Sequence, residues 1–300
     1  MSLFTENMPE WNNTGAEPPT QKKTDGWLPT EKPPADWFNW LFNRGYKSIS
    51  EIRDIIDGIN DDMIDKFPNN AGAHNAIYRG KNLGSVVTTA QASAISSGTF
   101  EDLYIGDYWE IDGRTYRIAA FNYYRRAGDT GELTTNHVTL VPDDNLYTHV
   151  MNDTNTTTGG YTGSKMYGEG LDQAKATINN AFTGRVLTHR QLLCNATANG
   201  KASGFAWFDS QVELMNEVMA YGSSVFGDSN LGGSGGFNIG GGKSQLPLFS
   251  YRPDIISNRQ TFYLRDVVSS SRFALVLNNG AASEFSASTA LGVRPAFSIS

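Results

Sequence analysis

Histidines, paired carboxylates, a thiol and two glycine-rich strings are the residues of this chain whose types and spacing could do chemistry. The four histidines are His74, His137, His149 and His189. None lies three or four residues from another, so no helix turns two imidazoles toward one metal, and each reads as a structural or surface histidine. The pairs Asp61-Asp62 and Asp143-Asp144 lack the spaced oxygen ligands of a calcium loop. Adjacent carboxylates on a strand also point to opposite faces, which makes a poor acid–base couple. Cys194 is the single cysteine, which excludes an intramolecular disulfide and a multi-thiolate zinc site. In "RQLLCNA" it reads as a buried helical residue. "GGGKS" at 240–244 invites a phosphate-loop reading, but the motif requires glycine at 237, where Phe237 stands, and no strand–loop–helix frame surrounds it. "GGSGG" at 232–236 matches a nucleophile elbow in letters only, since it too lacks a strand before and a helix after. These residues predict a protein that is not an enzyme and that uses no metal and no cofactor.

Composition narrows the class. Hydrophobic residues make up 39% and aromatics 12% of the 300 residues, the content of a folded chain rather than a disordered one. The net charge is −7 with no basic block, so a nucleic-acid partner is not expected. No apolar run approaches the roughly 20 residues of a membrane span, so no membrane insertion is expected. "MSLFTENMPEWNN" lacks the basic and apolar regions of a secretory signal. The product is expected to be soluble and to stay where it is made, unless it leaves by lysis or within a particle.

Four segments follow from the pattern. Residues 1–35 hold "EPPTQKKTDGWLPTEKPP" with Trp11 and Trp27, and Trp37 and Trp40 lie just beyond. Proline-rich chain reads as extended. It is either a disordered leader with incidental tryptophans or an arm whose tryptophans anchor in a partner's grooves. Residues 36–67 read as a helix that Asp36 can cap and Pro68 stops. Ile49, Ile52, Ile56, Ile59 and Met63 recur along it at spacings of three and four, a heptad seam with isoleucine at both apolar positions, which favours three strands or more over two. The alternatives are a short trimeric bundle and one amphipathic helix lying on its own domain. Residues 68–76 read as a linker.

Residues 77–300 read as one α+β domain. A short helix is expected from Thr88 or Thr89, and a hairpin in "DYWEIDGRTYRIAAF" turning at Asp112-Gly113. "NHVTLVPD" reads as a strand, and "GLDQAKATINNAF" as a helix with Leu171, Ala174, Ile178 and Ala181 on one face. "FDSQVELMNEVMAYG" reads as a helix opened by a Ser210–Glu213 capping box. Near the end, firm pieces at 262–267, 273–277 and 292–299 alternate with loose polar stretches at 269–272 and 278–289.

Several segments in order, "RGKNLGSVVTTAQASAISSGTFEDLYIGDYW", "YRIAAF", "HVTLVPD", "VLTHRQLL", "VELMNEVMAYG", "FYLRDVVSSSRFALV" and "GVRPAF", resemble a family of Gram-positive phage and prophage tail or fibre proteins with a C-type-lectin-like domain. "GWLPTEKPPADWFNWLFNRGYKSISEI" separately resembles the virion-attachment segments of such fibres. The resemblance implies a lectin-like fold whose last strands display ligand-binding loops. Phe262, Phe273, Val276, Val293 and Phe297 would be core. Ser270, Arg272, Asn278, Asn279, Ser283, Glu284, Phe285 and Ser286 would form the reading surface, or else ordinary solvent loops. Trp207 would be a sugar platform or a buried core residue. The calcium-holding strings of such lectins, Glu-Pro-Asn and Trp-Asn-Asp, are absent.

The resulting expectation is a virion fibre or receptor-binding protein, tail-associated or on the capsid and made in the host cytoplasm. It would be a homotrimer, joined through its arm to other tail, baseplate or capsid proteins and meeting a bacterial surface glycan or protein. The alternative is a purely structural virion component, a head fibre or decoration protein without a receptor.

Overall fold

The computed structural model describes residues 4, 6–66, 69–227 and 244–300, the side chains of 60–66 excepted. The strings at 232–236 and 240–243 and the side chain of Met63 therefore lie outside the described residues. The chain divides into two units, Met1–Pro68 and Asn69–Ser300.

In the first unit a short helix, α1 (Thr20–Asp25), precedes a long one, α2 (Ala35–Lys66). The arm is thus not wholly extended, as its prolines predict. Pro18 and Pro19 stand just before α1, where the missing amide costs no helical hydrogen bond. Lys23–Glu17 and Lys22–Glu31 ion pairs (2.5 and 2.6 Å) fasten the turn to its flanks. The arm runs antiparallel to α2 and is tied to it in three places. Arg53 Nη1 donates to the Glu6 carbonyl (3.0 Å), Asn43 Nδ2 to that of Trp11 (2.7 Å), and the Ala16 amide to that of Asp36 (3.1 Å).

The second unit is α+β. It opens with α3 (Ala71–Asn75), which corrects the expected linker at 68–76. Asn70 caps this helix by accepting from the Ala73 amide (3.1 Å). The Asn75 side chain then bonds both backbone groups of Phe121 (2.8 and 2.9 Å) and draws the segment into the domain. α4 (Thr89–Ser97) follows, with a Thr88–Gln91 capping box. Then come β1 (Tyr108–Ile111), β2 (Arg114–Phe121), β3 (Val138–Pro142) and β4 (Tyr147–His149). After a π-helical turn at Met166–Gly170, α5 (Asp172–Ala181) buries Ala174 and Ile178.

β5 (His189–Ala198) and β6 (Lys201–Ser210) form a long two-stranded hairpin. Cys194 is therefore on a strand, not a helix. The hairpin turns at Asn199-Gly200, both with positive φ (53° and 75°), the conformation a tight two-residue turn demands. β7 (Val212–Leu214) and α6 (Glu217–Tyr221) replace the single helix expected from Ser210. Ser210 and Glu213 do meet (2.9 Å), but on strands, and the cap of α6 is Asn216. The remaining elements are α7 (Pro247–Tyr251), β8 (Phe262–Val267), β9 (Arg272–Val276), β10 (Ala282–Ser286), β11 (Leu291–Val293) and β12 (Pro295–Ile299).

Two five-stranded sheets result, in the orders β1-β2-β3-β12-β7 and β10-β9-β8-β11-β4. The last strand lies inside the first sheet between β3 and β7, with every residue buried, so this chain end does not fray. Phe262, Phe273, Val276, Val293 and Phe297 are fully buried.

One residue, Arg294, separates β11 in one sheet from β12 in the other. It is 1% exposed, and its guanidinium faces carbonyls rather than a carboxylate. Nε donates to the Pro142 carbonyl (2.8 Å), and the two terminal nitrogens donate to those of Ile255 and Ile256 (3.0–3.2 Å). Phe249 and Phe262 cover it. Burial lowers its pKa to about 10, so it remains charged at neutral pH. Asp143, next to Pro142, is held in a fork by Arg117 (2.5 and 2.8 Å).

Replacing Arg294 by Met leaves buried carbonyls unpaired and is expected to cost roughly 3 kcal/mol or more. Arg294→Lys recovers little, because an ammonium cannot span the three acceptors. Urea unfolding midpoints measure both. A loss under about 1 kcal/mol for Arg294→Met would mean that the sheets are joined by other means.

Candidate functional site

The structure separates the residues grouped by the sequence. Ser270 and Arg272 lie at one end of β9, while Asn278 and Asn279 lie at the other, a five-residue strand or roughly 17 Å away. The stretch 278–288, expected as a loose loop, is a turn followed by β10. The Leu277 amide donates to the Ala281 carbonyl (2.9 Å) and the Gly280 amide to that of Leu277 (2.8 Å). Gly280 sits at φ 87°, the left-handed position of a three-residue hairpin loop. Ser257 Oγ and Tyr221 Oη tie the turn down through the carbonyls of Asn278 and Gly280 (2.9 and 3.0 Å). Ser283, Glu284, Phe285 and Ser286 are thus on an edge strand. Phe285 is exposed opposite buried Phe273, and Glu284 accepts from Arg272 (2.9 Å). Trp207 sits on β6 opposite Leu192, half-buried, six residues or roughly 20 Å from the hairpin turn.

What gathers around Ser270 instead is a segment that sequence reasoning passed over, residues 151–170. Thr157 donates from its amide to the Ser270 carbonyl (3.0 Å) and from Oγ1 to that of Ser269 (2.7 Å). Asn155 Oδ1 accepts from the amide and hydroxyl of Ser288 (3.2 and 2.7 Å). The β5–β6 turn arrives at the same place. A Cβ on Gly200 would come within 2.8 Å of the Ser270 nitrogen, so only glycine fits there. Buried Asn152 organises the segment by donating to the Thr156 carbonyl (2.7 Å) and accepting from the Lys165 amide (2.9 Å).

Beside this confluence opens a cleft of about 710 Å³, lined by Asn152, Asp153, Thr154, Thr156, Lys165 and Glu169 among others. Lys165 Nζ bridges Asp153 (2.6 Å) and Glu169 (3.4 Å). Their hydrogen bonds raise its pKa, so it stays an ammonium and is no nucleophile at neutral pH. Among the described residues no three His, Cys, Asp or Glu side chains are placed to hold a metal. The cleft offers hydrogen bonds and fixed charge. The string "NDTNTTTGG" carries the same small polar texture as the tail loops, and that was the available signal.

On the first unit the seam is bare. Ile49, Ile52, Ile56 and Ile59 expose 40, 55, 37 and 56% of their surface. Continued backward at the same spacing, the seam reaches Phe42 and Phe38. There Trp11 packs on Phe42 and Trp27 on Phe38, with ring centroids 5.0 and 4.9 Å apart. These two tryptophans therefore staple the arm to its own helix. Trp37, Trp40, Trp27 and Leu41 instead line a recess of about 300 Å³.

A buried polar array lies under β5 and β8. Glu213 accepts from Tyr161 (2.8 Å) and Ser210, and Arg265 donates to the Leu214 carbonyl (3.1 Å). Turned oxygen-first, the Gln191 amide accepts from Arg265 at 2.9 and 3.2 Å. His189 stacks on Tyr124 with ring centroids 3.8 Å apart, and among the described residues neither of its ring nitrogens has a hydrogen-bond partner. His137 Nε2 accepts from the Tyr124 amide (3.1 Å). Burial holds both imidazoles neutral, His137 down to about 4 and His189 to about 3. Burial and the Glu217 charge push Asp266 up to about 7.

Comparison with protein-family models, curated proteins and solved structures finds no match. The chain's own residues carry the functional argument.

These groups set a pH dependence of stability. The unfolded histidines protonate near 6.5 and the folded ones near 4 and 3. Their contribution is complete above pH 6.5 and lost as pH falls toward those values. Asp266 works oppositely, contributing below pH 3.8 and losing that contribution as pH rises through about 7. Between pH 6.5 and 4 these two histidines and His74, also lowered by burial, oppose Asp266 and Glu213, both raised by burial, so stability is expected to fall on acidification. His189→Phe keeps the stack and removes one of the protons, flattening that slope by up to about 1.4 kcal/mol per pH unit. Urea titrations at pH 7, 6 and 5 check this. An unchanged slope would place the acid sensitivity elsewhere.

Proposed function

We propose that this chain is a fibre subunit of a phage particle that meets the bacterial surface through its second unit. The exposed isoleucine seam on α2 carries the proposal. An apolar stripe of this length on a 32-residue helix is not left in water by a monomeric protein without a use. Isoleucine at both heptad positions suits a parallel trimer. Each isoleucine that passes from half-exposed to buried contributes on the order of 1 kcal/mol. Trp11 and Trp27 contact Phe42 and Phe38 from one side, yet Phe42 stays 49% exposed, so the stripe open to a bundle includes Phe42 as well as Ile49 to Ile59. The recess between Trp27, Trp37 and Trp40 is then the surface offered to a tail, baseplate or capsid protein.

The second unit is proposed to be C-type-lectin-like. The resembling segments, in order, and the α+β build with long polar loops support that reading. The receptor-facing end is the confluence of residues 151–170, 269–272 and 286–289 with the β5–β6 turn. Three such ends on one stalk bind a repetitive surface by avidity, without a tight single site.

Full-length protein is expected to sediment as a trimer, and Ile52→Asp with Ile56→Asp as a folded monomer. The parent is expected to bind host cell walls, and the monomer about a hundredfold more weakly. A parent that is already monomeric would remove the stalk from the account. A trimer that binds no wall would leave a purely structural virion component.

A further inference from the structure

We infer that the ligand of the cleft beside Ser270 is an uncharged, hydroxyl-rich glycan rather than a phosphate-bearing wall polymer or a protein epitope. This rests on the receptor-binding reading above.

The lining decides between glycan and protein. Thr154, Thr156, Asp153, Lys165 and Glu169 supply donors and acceptors, and among the described residues the wall of the cleft carries no aromatic and no aliphatic side chain. Protein epitopes are gripped by buried aromatic, aliphatic or arginine anchors, and there is no pocket for one here. Rows of hydroxyls are held by carboxylates, amides and hydroxyls that accept and donate in turn. The volume of about 710 Å³ is in the range of small-molecule sites, and the open form suits a chain laid across it.

Charge decides between neutral and phosphate-bearing glycans. Lys165, the cation in the lining, is bridged by Asp153 and Glu169. Arg272, at the near end of β9, is paired with Glu284. Lys201, beside the β5–β6 turn, makes no ion pair among the described residues, but one exposed lysine does not hold a polyanion. Two carboxylates around one ammonium give the cleft a negative balance, which repels phosphodiesters and leaves hydroxyls unaffected. Asn152 fixes the segment from within, so its polar groups are set before the ligand arrives.

The test uses the full-length trimer on cell walls of the host strain. Binding is expected to survive protease treatment of the walls and to be lost after periodate, which cleaves vicinal diols. It is expected to change less than about twofold between roughly 50 and 500 mM NaCl. Asp153→Ala and Thr156→Ala together are expected to weaken it about tenfold or more, while Asn278→Ala with Asn279→Ala leaves it unchanged. Loss of binding with protease, or a drop of tenfold or more with salt, would overturn the inference and leave the receptor reading in place. Unchanged binding by the Asp153/Thr156 pair would likewise overturn this site. Absence of binding to any wall would overturn the receptor reading itself.

Discussion

The second unit depends on a charge placed where charge is costly. Arg294 alone links β11, in one sheet, to β12, in the other. Its guanidinium collects carbonyls from the end of β3 and from the turn after α7. A neutral side chain could fill the volume but could not satisfy those acceptors together. Because β12 lies between β3 and β7, fixing the residue just before it also helps fix the register of the sheet. Both sheets are thereby keyed to one point, and the end of β8–β9 that carries Ser270 is held against a rigid frame.

That frame lets small polar residues act as a surface. Ser, Thr and Asn side chains have little apolar area with which to hold themselves. At the proposed face they are held by bonds to backbone groups instead: Thr157 to the carbonyls of Ser269 and Ser270, Asn155 to the Ser288 amide, and Asn152 across its own segment. The result is a preset array rather than a floppy loop. The first unit follows a different logic. Its long helix is touched by the arm at Phe38 and Phe42, and its apolar stripe is exposed at Phe42 and again from Ile49 onward. One stripe thus serves both as an internal anchor and as an unfilled interface.

Much of this could be read in the residues, where local chemistry decides. The Asp112-Gly113 turn, the Thr88 cap and the aromatic and aliphatic residues of Phe262–Val267 specify their elements without help. The isoleucine spacing likewise needs no partner to be visible. Where the sequence misled, a distant contact overrode a local preference. β10 is made of Ala, Ser, Glu and Phe, and it is a strand because β9 offers it a ladder. "RQLLCNA" suits a helix, yet the Asn199-Gly200 turn pairs it with β6 over its whole length. Trp11 and Phe42 are far apart in sequence, so the fold-back of the arm has no local signature. The cleft was missed because its residues are ordinary singly, and only Asn152 and its bonds make them a site.

The central claim is that the end of the second unit around Ser270, and not its opposite end, meets the bacterial surface. Hydrogen–deuterium exchange of the full-length protein, free and bound to host cell walls, tests it most directly. The account predicts slowed exchange in 151–170, 269–272 and 286–289, with the Asn278-Asn279 turn unchanged. Slowed exchange confined to that turn, or no difference anywhere in 69–300, would contradict it.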